Sequence, residues 1–506
     1  MLEERIRNRF FLEKVAQPGE AAASVKSGMS IATAGDSTRG FPLAFFRALA
    51  ERAREGRIGN LELWSASLLG YEVEGALAEA GALGRRLGSH GDVTLRKMIN
   101  TGKVPCNDVR TEMLPYHVRS GTFGNLDLAV VDAVAITEEG FIVPSHAPID
   151  ISSHVEAAGR VIVEIDCSLP MAMEGIYDHY LPGLGPTAGE IPLRSVEDRM
   201  GTSYIPVSRE KVSHVIVSGL AREGVRSVVP DERSARAAGH LLDFLEKEVR
   251  EGRLPKNLYP IEIGLGSIAD AIMKKLSFSD FEGVEVFSAV IGDSVLDLID
   301  AGKCKAASGT AMLVSDDGWN KFCGRINDFK KFLILRPCEI TNHPELIRRL
   351  RVIAINGAIE VDIYGHVNSS HVGGVSLVNG IGGAASFAAN SHLSVFALFS
   401  TGRGGDVSSI VPMASHVDIP EHFVDVVVTD VGLADLRGLS PVERAELIIQ
   451  NCAHPDFKPL LREYLEKSRR EVGGHEPHIL SEAFSFHTRL IEQKTMKKGP
   501  ERQKDV

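Results

Sequence analysis

The stretch Met29-Ser-Ile-Ala-Thr-Ala34 is a short apolar run with β-branched residues, followed by a glycine-containing turn over 35–41 and a helical pattern from Pro42 to Arg54. This rhythm is typical of an α/β fold. Similar runs recur along the chain, and continuous apolar runs suit parallel strands that are covered on both faces. Further strands are predicted at Leu126–Val131, Val161–Ile165, His214–Val217, Phe332–Leu335, Val352–Ile355, Val395–Phe399 and Val424–Val428.

Length and composition exclude several classes of protein. The chain has 506 residues, 44% hydrophobic and 24% charged, so a full core is possible and disorder as the main state is excluded. A formal net charge of −11 argues against nucleic acid as a partner. The six cysteines stand singly, which indicates a reduced, cytoplasmic compartment. We find no signal-peptide pattern and no membrane-spanning run, so we expect a soluble protein without a membrane partner.

The chain is predicted to form two α/β domains, 1–225 and 226–506. Charged and turn-forming residues in Ala221–Arg233 precede a long amphipathic helix over Ser234–Arg250, with Ser234 as its N-cap. Segments 126–132 and 424–430 look alike, which indicates either a duplicated architecture or chance similarity between two buried strands. Residues 494–506 are basic and nearly devoid of apolar side chains, which predicts a frayed, solvated tail.

Three glycine-rich turns are the strongest candidates for a binding site, because backbone amides beside glycine can approach a ligand closely. The run Ile261-Glu-Ile-Gly-Leu-Gly-Ser-Ile268 leads from a strand into a helix, which favours an anion or oxyanion site at the helix N-terminus. A turn needed only for strand-to-helix packing is the alternative. The second turn is Asn379–Gly383, where close approach of a ligand is favoured. The third turn is Gly402–Asp406. Its Arg403 offers a cation that suits a phosphate, and the alternative is an ordinary surface arginine beside a hairpin turn.

Common hydrolase, nucleotide and metal motifs are absent from the sequence. It contains no GxSxG, P-loop or HExxH pattern. His475 and His478 flank Pro477, which predicts a helix entry. The 17 histidines have no convincing ligand spacing, so we predict neither a metal site nor a tightly bound cofactor.

Six motifs occur in order along the chain, and together they resemble the acetyl-CoA hydrolase/transferase family of class I CoA-transferases. The likeness extends from Glu4 to the helices after Ser440, and it is strongest to members that exchange CoA between succinate and acetate. A set of ordered motifs is far more specific than a single glycine loop. The motifs are Ile261–Ala271, Phe287–Asp293, Ile355–Ser370, Asn379–Gly383, Ile410–Asp418 and Thr429–Gly438.

The resemblance implies two α/β domains, each built on an open and mainly parallel sheet, with the active site in the cleft between them. It also implies exchange of CoA between an acyl-CoA and a small carboxylate, with coenzyme A as a substrate, in a homodimer. In that family a glutamate attacks the thioester, forms a mixed anhydride and becomes a glutamyl-CoA thioester. Acyl-CoA hydrolysis is the related reaction.

Carried over residue by residue, the resemblance also implies a set of contacts. The asparagine that steers the reacting carboxylate matches Asn342, and the basic CoA contact matches Arg403, where lysine also occurs in the family. The remaining CoA-binding positions are Gly264, Leu265, Gly266, Ser267, Ile268, Asn379 and Gly383.

The nucleophile departs from the family pattern. Ala289 stands where family members have the catalytic glutamate, in Ser288-Ala-Val290, and a methyl group cannot form a thioester. Two other segments also differ. The family's Gly-Gly-Ser-Gly-Asp-Phe-Ala-Arg loop is Gly382-Gly-Ala-Ala-Ser-Phe-Ala-Ala389 here, and its Pro-Thr-Ser-Ser-Val-Gly segment is Pro144-Ser-His-Ala-Pro-Ile149.

Two interpretations therefore compete. In the first, the chain is an enzyme that transfers CoA directly or hydrolyses the thioester of short acyl groups such as acetyl or succinyl. Glu262 and Asp293 are then the nearest carboxylates in sequence that could act as a base, although a structural role is favoured for each. In the second, the chain is a CoA-binding homologue without catalytic activity. We place the enzyme first because the CoA-binding motifs survive nearly complete.

Overall fold

Two large sheets organise the protein. The computed structural model describes residues 2–220, 222–226 and 229–498. Within them lie two eight-stranded sheets, one in each half of the chain. Helices pack against these sheets, so the mixed α/β fold with two similar units is confirmed.

The first sheet is parallel except for one short strand, Ile142–Pro144, which pairs antiparallel with its neighbour Leu128–Ile136. All nine residues of Leu128–Ile136 are buried, as expected for a strand with layers on both faces. From one edge to the other, the parallel strands are Cys106–Asn107, Leu83–Leu87, Leu61–Trp64, Ser30–Thr33, Leu128–Ile136, Arg160–Asp166 and Val212–Ser218.

The second sheet is parallel except for its last strand, Leu433–Asp435. Its strands lie in the order Leu333–Leu335, Cys304–Gly309, Val284–Phe287, Ile261–Ile263, Ile353–Gly357, Leu393–Ala397, Val426–Val428 and Leu433–Asp435.

The helices that cover both sheets are amphipathic, with buried apolar faces. Those of seven residues or more are Leu43–Arg54, Val93–Asn100, Met113–Arg119, Ile151–Ala157, Glu232–Arg250, Ser267–Ser277, Asp293–Asp300, Asp316–Gly324, Pro344–Leu350, Ala384–Asn390, Pro441–Asn451, Lys458–Glu471 and Ser485–Gln493.

The strand order repeats between the halves. In each sheet the first strand of that half lies centrally, the next strands add on one side, and the chain then crosses to the other side. The two segments that look alike in sequence are not equivalent, however. The strand at Leu128–Ile136 adjoins the central strand of its sheet, whereas Val426–Val428 lies two strands beyond the corresponding position. The duplicated architecture is therefore present, although that pair of segments does not reveal it.

Every strand predicted from an apolar run is present, within a few residues at its ends. The N-cap of the long helix is corrected. The helix begins at Glu232, and the Asp231 side chain accepts the Ser234 backbone N–H at 2.8 Å, so Asp231 rather than Ser234 is the cap. The predicted boundary segment includes residues 221, 227 and 228, which lie outside the described residues. The division at residue 225 stays a prediction.

The described start of the C-terminal tail is packed, which corrects the expectation of a frayed end. Met496 is buried, and its backbone N–H donates to the Asp406 carbonyl at 2.8 Å. Lys497 pairs with Asp456 at 3.0 Å. Residues 499–506 of the predicted tail lie outside the described residues.

Two further expectations concern cysteine and membrane segments. All six cysteines are free thiols. Over the ranges that the structure describes, no helix is long and apolar enough to cross a membrane.

Candidate active site

The predicted site segments of the second half share one edge of its sheet. Gly264, Ala289, Asn342 and Arg403 each follow the carboxyl end of a parallel strand, namely Ile261–Ile263, Val284–Phe287, Leu333–Leu335 and Leu393–Ala397. Parallel strands present their carboxyl ends at the same edge, and ligands bind where the strand order reverses. Here the reversal lies between Ile261–Ile263 and Ile353–Gly357, directly beside Gly264.

The turn after the central strand exposes backbone amides. Gly266 has a φ of +124°, which favours glycine, and it precedes the helix Ser267–Ser277. The first N–H groups of that helix have no carbonyl partner within the helix. The exposed side chain of Leu265 adds apolar surface, with 54% of the residue accessible. The turn therefore offers donors for an anion or oxyanion beside an apolar contact.

A cavity of about 180 Å³ adjoins this turn. Asn356, near the end of the strand Ile353–Gly357, and Phe399, just after the strand Leu393–Ala397, also line this cavity. All five predicted residues, Gly264, Leu265, Gly266, Ser267 and Ile268, line it.

The Asn379–Gly383 loop lies against the first half of the chain. The Ile381 N–H donates to Asp108 Oδ2 at 2.8 Å, and the Thr111 N–H donates to the Gly382 carbonyl at 3.1 Å. A Cβ on Gly380 would lie only 2.9 Å from Asp108 Oδ1. A side chain at this position would therefore displace Asp108 from its place beside the loop.

Asn342 and Gly383 are brought into direct contact. Asn342 is fully buried, and a Cβ on Gly383 would lie 2.2 Å from Asn342 Nδ2. Thr341 Oγ1 donates to Asn342 Oδ1 at 2.8 Å, which fixes the orientation of the amide. Asn342 Nδ2 has no hydrogen-bond partner among the described residues. The site therefore contains a buried, oriented and unpaired donor.

Ala289 is held at the same sheet edge by its backbone. Its carbonyl accepts hydrogen bonds from the Thr310 N–H at 2.9 Å and from Thr310 Oγ1 at 2.7 Å. The half-buried methyl group packs against an apolar cluster that contains Ile340 and Phe387. In the same cluster, Ile340 precedes Asn342 by two residues and Phe387 packs near Gly383.

The altered loop forms the helix Ala384–Asn390, with Gly383 at its N-cap. Ser386 in its first turn donates through Oγ to Glu112 Oε1 at 2.6 Å. Glu112 is buried, with 5% of the residue accessible, and its Oε2 has no hydrogen-bond partner in residues 2–220, 222–226 and 229–498. Burial raises the pKa of Glu112, while the Ser386 hydrogen bond and Arg110 lower it.

The second altered segment lies where the halves meet. His146 is buried, and its ring centroid lies 4.7 Å from that of Trp319 in the second half. Its backbone carbonyl accepts the Met312 N–H at 2.9 Å. In this segment the histidine therefore packs between the halves.

The two carboxylates named from the sequence are both engaged. Asn356 Nδ2 donates to Glu262 Oε2 at 2.9 Å, and burial raises the pKa of Glu262 to about 8, so this group is mainly protonated at neutral pH. Asp293 begins the helix Asp293–Asp300 and accepts the Ser315 N–H at 3.1 Å. These contacts support the structural role that was favoured for each.

Arg403 is exposed on the turn between the short strands Thr401–Gly402 and Val407–Ser408. The parallel strand that precedes it lies two positions from the strand that precedes Gly264. Because neighbouring strands are about 4.8 Å apart, roughly 10 Å separates the two strand ends. Arg403 thus lies on the same edge of the sheet as the turn Gly264–Ile268, but it does not contact Asn342 or Gly383 in the contacts described above.

One histidine group has the spacing of metal ligands, which the sequence pattern does not reveal. Ligand atoms of His371, His416 and Asp418 lie within 4.8 Å of one another. The Asp418 carboxylate already accepts the backbone N–H groups of Ser369 at 2.7 Å and Ser370 at 3.0 Å. The absence of a metal ion stays a prediction.

Sequence reasoning missed the contribution of the first half. Asp108 and Glu112 follow the edge strand Cys106–Asn107. Asp108 contacts the loop Asn379–Gly383, and Glu112 contacts the helix Ala384–Asn390 that follows it. Their only local signal is a pair of carboxylates shortly after a strand end. Both of these contacts span more than 270 positions along the chain.

Comparison with known proteins gives two matching family models. Residues 1–217 match the acetyl-CoA hydrolase/transferase N-terminal domain, and residues 318–465 match the C-terminal domain of the same family.

Individual relatives match over nearly full length. The chain is 41% identical to a succinyl-CoA:acetate CoA-transferase of Clostridium kluyveri, over 98% of this chain and 92% of that one. It is 38% identical to an acetyl-CoA hydrolase of Schizosaccharomyces pombe, over 98% and 99%. Among solved structures, RipA from Yersinia pestis has the same fold, with a TM-score of 0.70, 20% identity and coverage of 90% of this chain and 98% of that one.

Proposed function

Because the chain belongs to the acetyl-CoA hydrolase/transferase family, we propose that it is an enzyme that cleaves the thioester of short acyl-CoA molecules, either passing CoA to a small carboxylate or releasing it to water. The observation that supports this proposal most is the contact between Asn342 and Gly383. In this contact the buried Asn342 Nδ2 donor has no hydrogen-bond partner among the described residues, and it lies at the edge of the sheet where ligands bind. A thioester carbonyl is a suitable acceptor for that donor.

The glycine turns are proposed to bind CoA. Gly264, Leu265, Gly266, Ser267 and Ile268 line a cavity at the strand reversal, where amide donors and the Leu265 side chain suit the pantetheine arm. Asn379 and Gly383 lie nearer the reacting thioester, and Arg403 suits the phosphates.

The proposed reaction proceeds without a covalent enzyme–CoA intermediate, because Ala289 carries only a methyl group. In the hydrolytic route, water attacks the thioester carbonyl, the C–S bond breaks, and CoA leaves with a proton. In the transfer route, the acceptor carboxylate attacks instead. CoA thiolate then attacks the other carbonyl of the resulting anhydride and releases the first acid.

Ala289 also supports a second candidate, a CoA-binding homologue without turnover. The two functions make different predictions with the same substrates. Acetyl-, propionyl- and succinyl-CoA are each incubated with paired carboxylates, and CoA exchange is scored separately from free-CoA release. Exchange supports a transferase and release supports a hydrolase. Binding of CoA without either reaction supports the second candidate and overturns the first, while no measurable binding overturns both.

Intact-protein mass spectrometry during turnover tests the absence of a covalent intermediate. We expect no CoA adduct on any carboxylate. An adduct on Glu262 or Asp293 would contradict this expectation and identify a relocated nucleophile.

Homodimeric assembly and a cytoplasmic location are further proposals. The first is supported by the usual assembly of the family that the sequence resembles, and the second by free cysteines. Light scattering on the purified protein tests the first, since a monomeric mass would contradict it. Cell fractionation tests the second.

A further inference from the structure

We propose that Glu112 is the general base that activates water for thioester hydrolysis in this site, an inference that rests on the proposed function. Glu112 comes from the first half of the chain, beyond the positions that carry the family's catalytic carboxylate. Its role would make the protein a hydrolase in which the working carboxylate has moved across the cleft.

The placement of Glu112 carries the argument. Its Oε1 accepts Ser386 Oγ at 2.6 Å, and the Ser386 N–H donates to the Gly383 carbonyl at 3.1 Å. The neighbouring Thr111 N–H donates to the Gly382 carbonyl at 3.1 Å. Glu112 is therefore about one helical turn from Gly383, whose backbone contacts Asn342.

Unpaired polar atoms are the second line of evidence. Glu112 Oε2 and Asn342 Nδ2 are both buried without a hydrogen-bond partner among the described residues. Each of these two atoms would gain a hydrogen bond from a ligand bound between the halves. Glu112 Oε2 can accept a proton from water, and Asn342 Nδ2 can donate a hydrogen bond to a thioester carbonyl.

The departures from the family pattern are consistent with this assignment. Ala289 replaces the family's glutamate, and Ser386 replaces its aspartate in the glycine loop. Glu112 hydrogen-bonds to Ser386, so a carboxylate again lies beside the loop, now supplied by the other half.

Nearby carboxylates are less suited to the role. Glu339 is buried, but Arg119 Nη1 donates to its Oε1 at 3.0 Å and Ser153 Oγ donates to its Oε2. Asp108 has a free Oδ1, but this atom lies beside Gly380, at the other end of the loop from Gly383.

The proton balance follows from the geometry. Glu112 Oε2 accepts a proton from water as the water oxygen bonds to the thioester carbon, and Asn342 Nδ2 donates to the developing oxyanion. The C–S bond then breaks, and the proton passes from Glu112 to the sulfur of CoA. The products are the free acid and CoA, with Glu112 restored to its ionised form.

The pH dependence has a defined sign. A general base acts in its ionised form, so hydrolysis rises with pH through the pKa of Glu112. Burial raises this pKa, while Ser386 and Arg110 lower it. The buried Cys338 thiol, whose Sγ donates to the Thr111 carbonyl, interacts electrostatically with the carboxylate. Because Ser386→Ala removes a hydrogen bond that stabilises the ionised form, we expect it to shift the midpoint of the pH–rate profile upward.

The experiment measures free-CoA release from acetyl-CoA by the full chain between pH 5 and 9. We expect Glu112→Gln to lower kcat about 10²–10⁴-fold with CoA affinity retained. Ser386→Ala should keep most of the activity at high pH and show the shifted midpoint, which a structural role alone would not produce. The matched control is Glu248→Gln, because Glu248 is buried with both oxygens bonded to arginines outside this cluster. This control should leave the midpoint unchanged.

Each other outcome overturns the assignment. Undiminished release by Glu112→Gln rejects Glu112 as the base, and a collapse confined to Asp108→Asn would place the base at Asp108. If Glu112→Gln fails to fold, an unshifted Ser386→Ala profile still rejects the proposal. Wild-type protein that exchanges CoA but releases none overturns this inference and leaves the proposed function intact. Wild-type protein with neither reaction overturns the proposed function itself.

Discussion

At the level of single residues, the proposed function depends most on Ala289, which is predicted to occupy the position of the family's nucleophile. Its backbone carbonyl accepts hydrogen bonds from Thr310, and its side chain packs against the apolar cluster that contains Ile340 and Phe387. We expect Ala289→Glu to raise CoA-transferase activity, because a carboxylate would again face the buried amide. A glutamyl-CoA thioester should then be trapped by hydroxylamine or reduced by borohydride.

The matched control for this change is Ala289→Gln, which has the same size but cannot form a thioester. Exchange of the full loop, with family residues at Ala384, Ala385, Ser386 and Ala389, should increase the gain. If the variants fold and bind CoA but no thioester is trapped, either the correspondence at Ala289 is wrong or the pocket has been remodelled. The second candidate function would then be favoured.

Arg403 tests the proposed CoA site at the same scale. Arg403→Glu should weaken CoA binding by about 1–3 kcal/mol, because a charge-assisted phosphate contact is replaced by repulsion. Isothermal titration calorimetry measures the change. Arg403→Lys keeps the charge and should bind nearly as well as wild type. Unchanged affinity in the glutamate variant would remove Arg403 from the site.

At the scale of elements, the loop Asn379–Gly383 joins the two halves through close backbone contacts. Gly383→Ala should lower turnover at least tenfold with little change in CoA affinity, because its Cβ would lie 2.2 Å from Asn342 Nδ2 and displace the amide. Steady-state kinetics and calorimetry separate the two effects.

A suitable control for this loop is Gly59→Ala, since a Cβ there would have no heavy atom within 4 Å and Gly59 has no positive φ. Its kinetics should match those of wild type. Full activity in Gly383→Ala would mean that the position of Asn342 is not needed for turnover.

At the scale of the whole molecule, a buried ion pair connects the halves. Asp178 in the first half pairs with Arg336 in the second, and both are buried. Desolvation lowers the pKa of Arg336 to about 10 despite the neighbouring Asp178. The Gly201 N–H also donates to Asp178 at 2.8 Å, so the carboxylate is fixed on its own side of the interface.

We expect Asp178→Asn to lower the free energy of unfolding by about 3–5 kcal/mol, because it leaves the guanidinium buried without its counter-charge. Urea denaturation measures the loss. Glu197→Gln at an exposed pair with Lys305 should change stability by less than about 1 kcal/mol. Similar small losses in both variants would contradict a role for the buried pair in holding the halves together.

The strands and the glycine turns of this protein can be predicted from local sequence. Runs such as Leu126–Val131 are apolar throughout because both faces of their strands are buried, and that property is local to the run. The ordered motifs likewise predict a role for Asn342 and a vacated nucleophile position at Ala289, because each lies within a short conspicuous segment. Helix ends were less certain, since Asp231 and Ser234 are both suitable caps and only the backbone geometry distinguishes them.

The contacts between the two halves, by contrast, become visible only in the folded protein. Asp108 contacts the loop Asn379–Gly383 and Glu112 contacts Ser386 in the helix that follows it, and no local pattern records contacts across more than 270 positions. The free oxygen of Glu112 and the free amide of Asn342 are likewise properties of the packed molecule. Whether a buried polar atom is paired depends on every neighbour around it, and those neighbours are assembled only when the two halves dock.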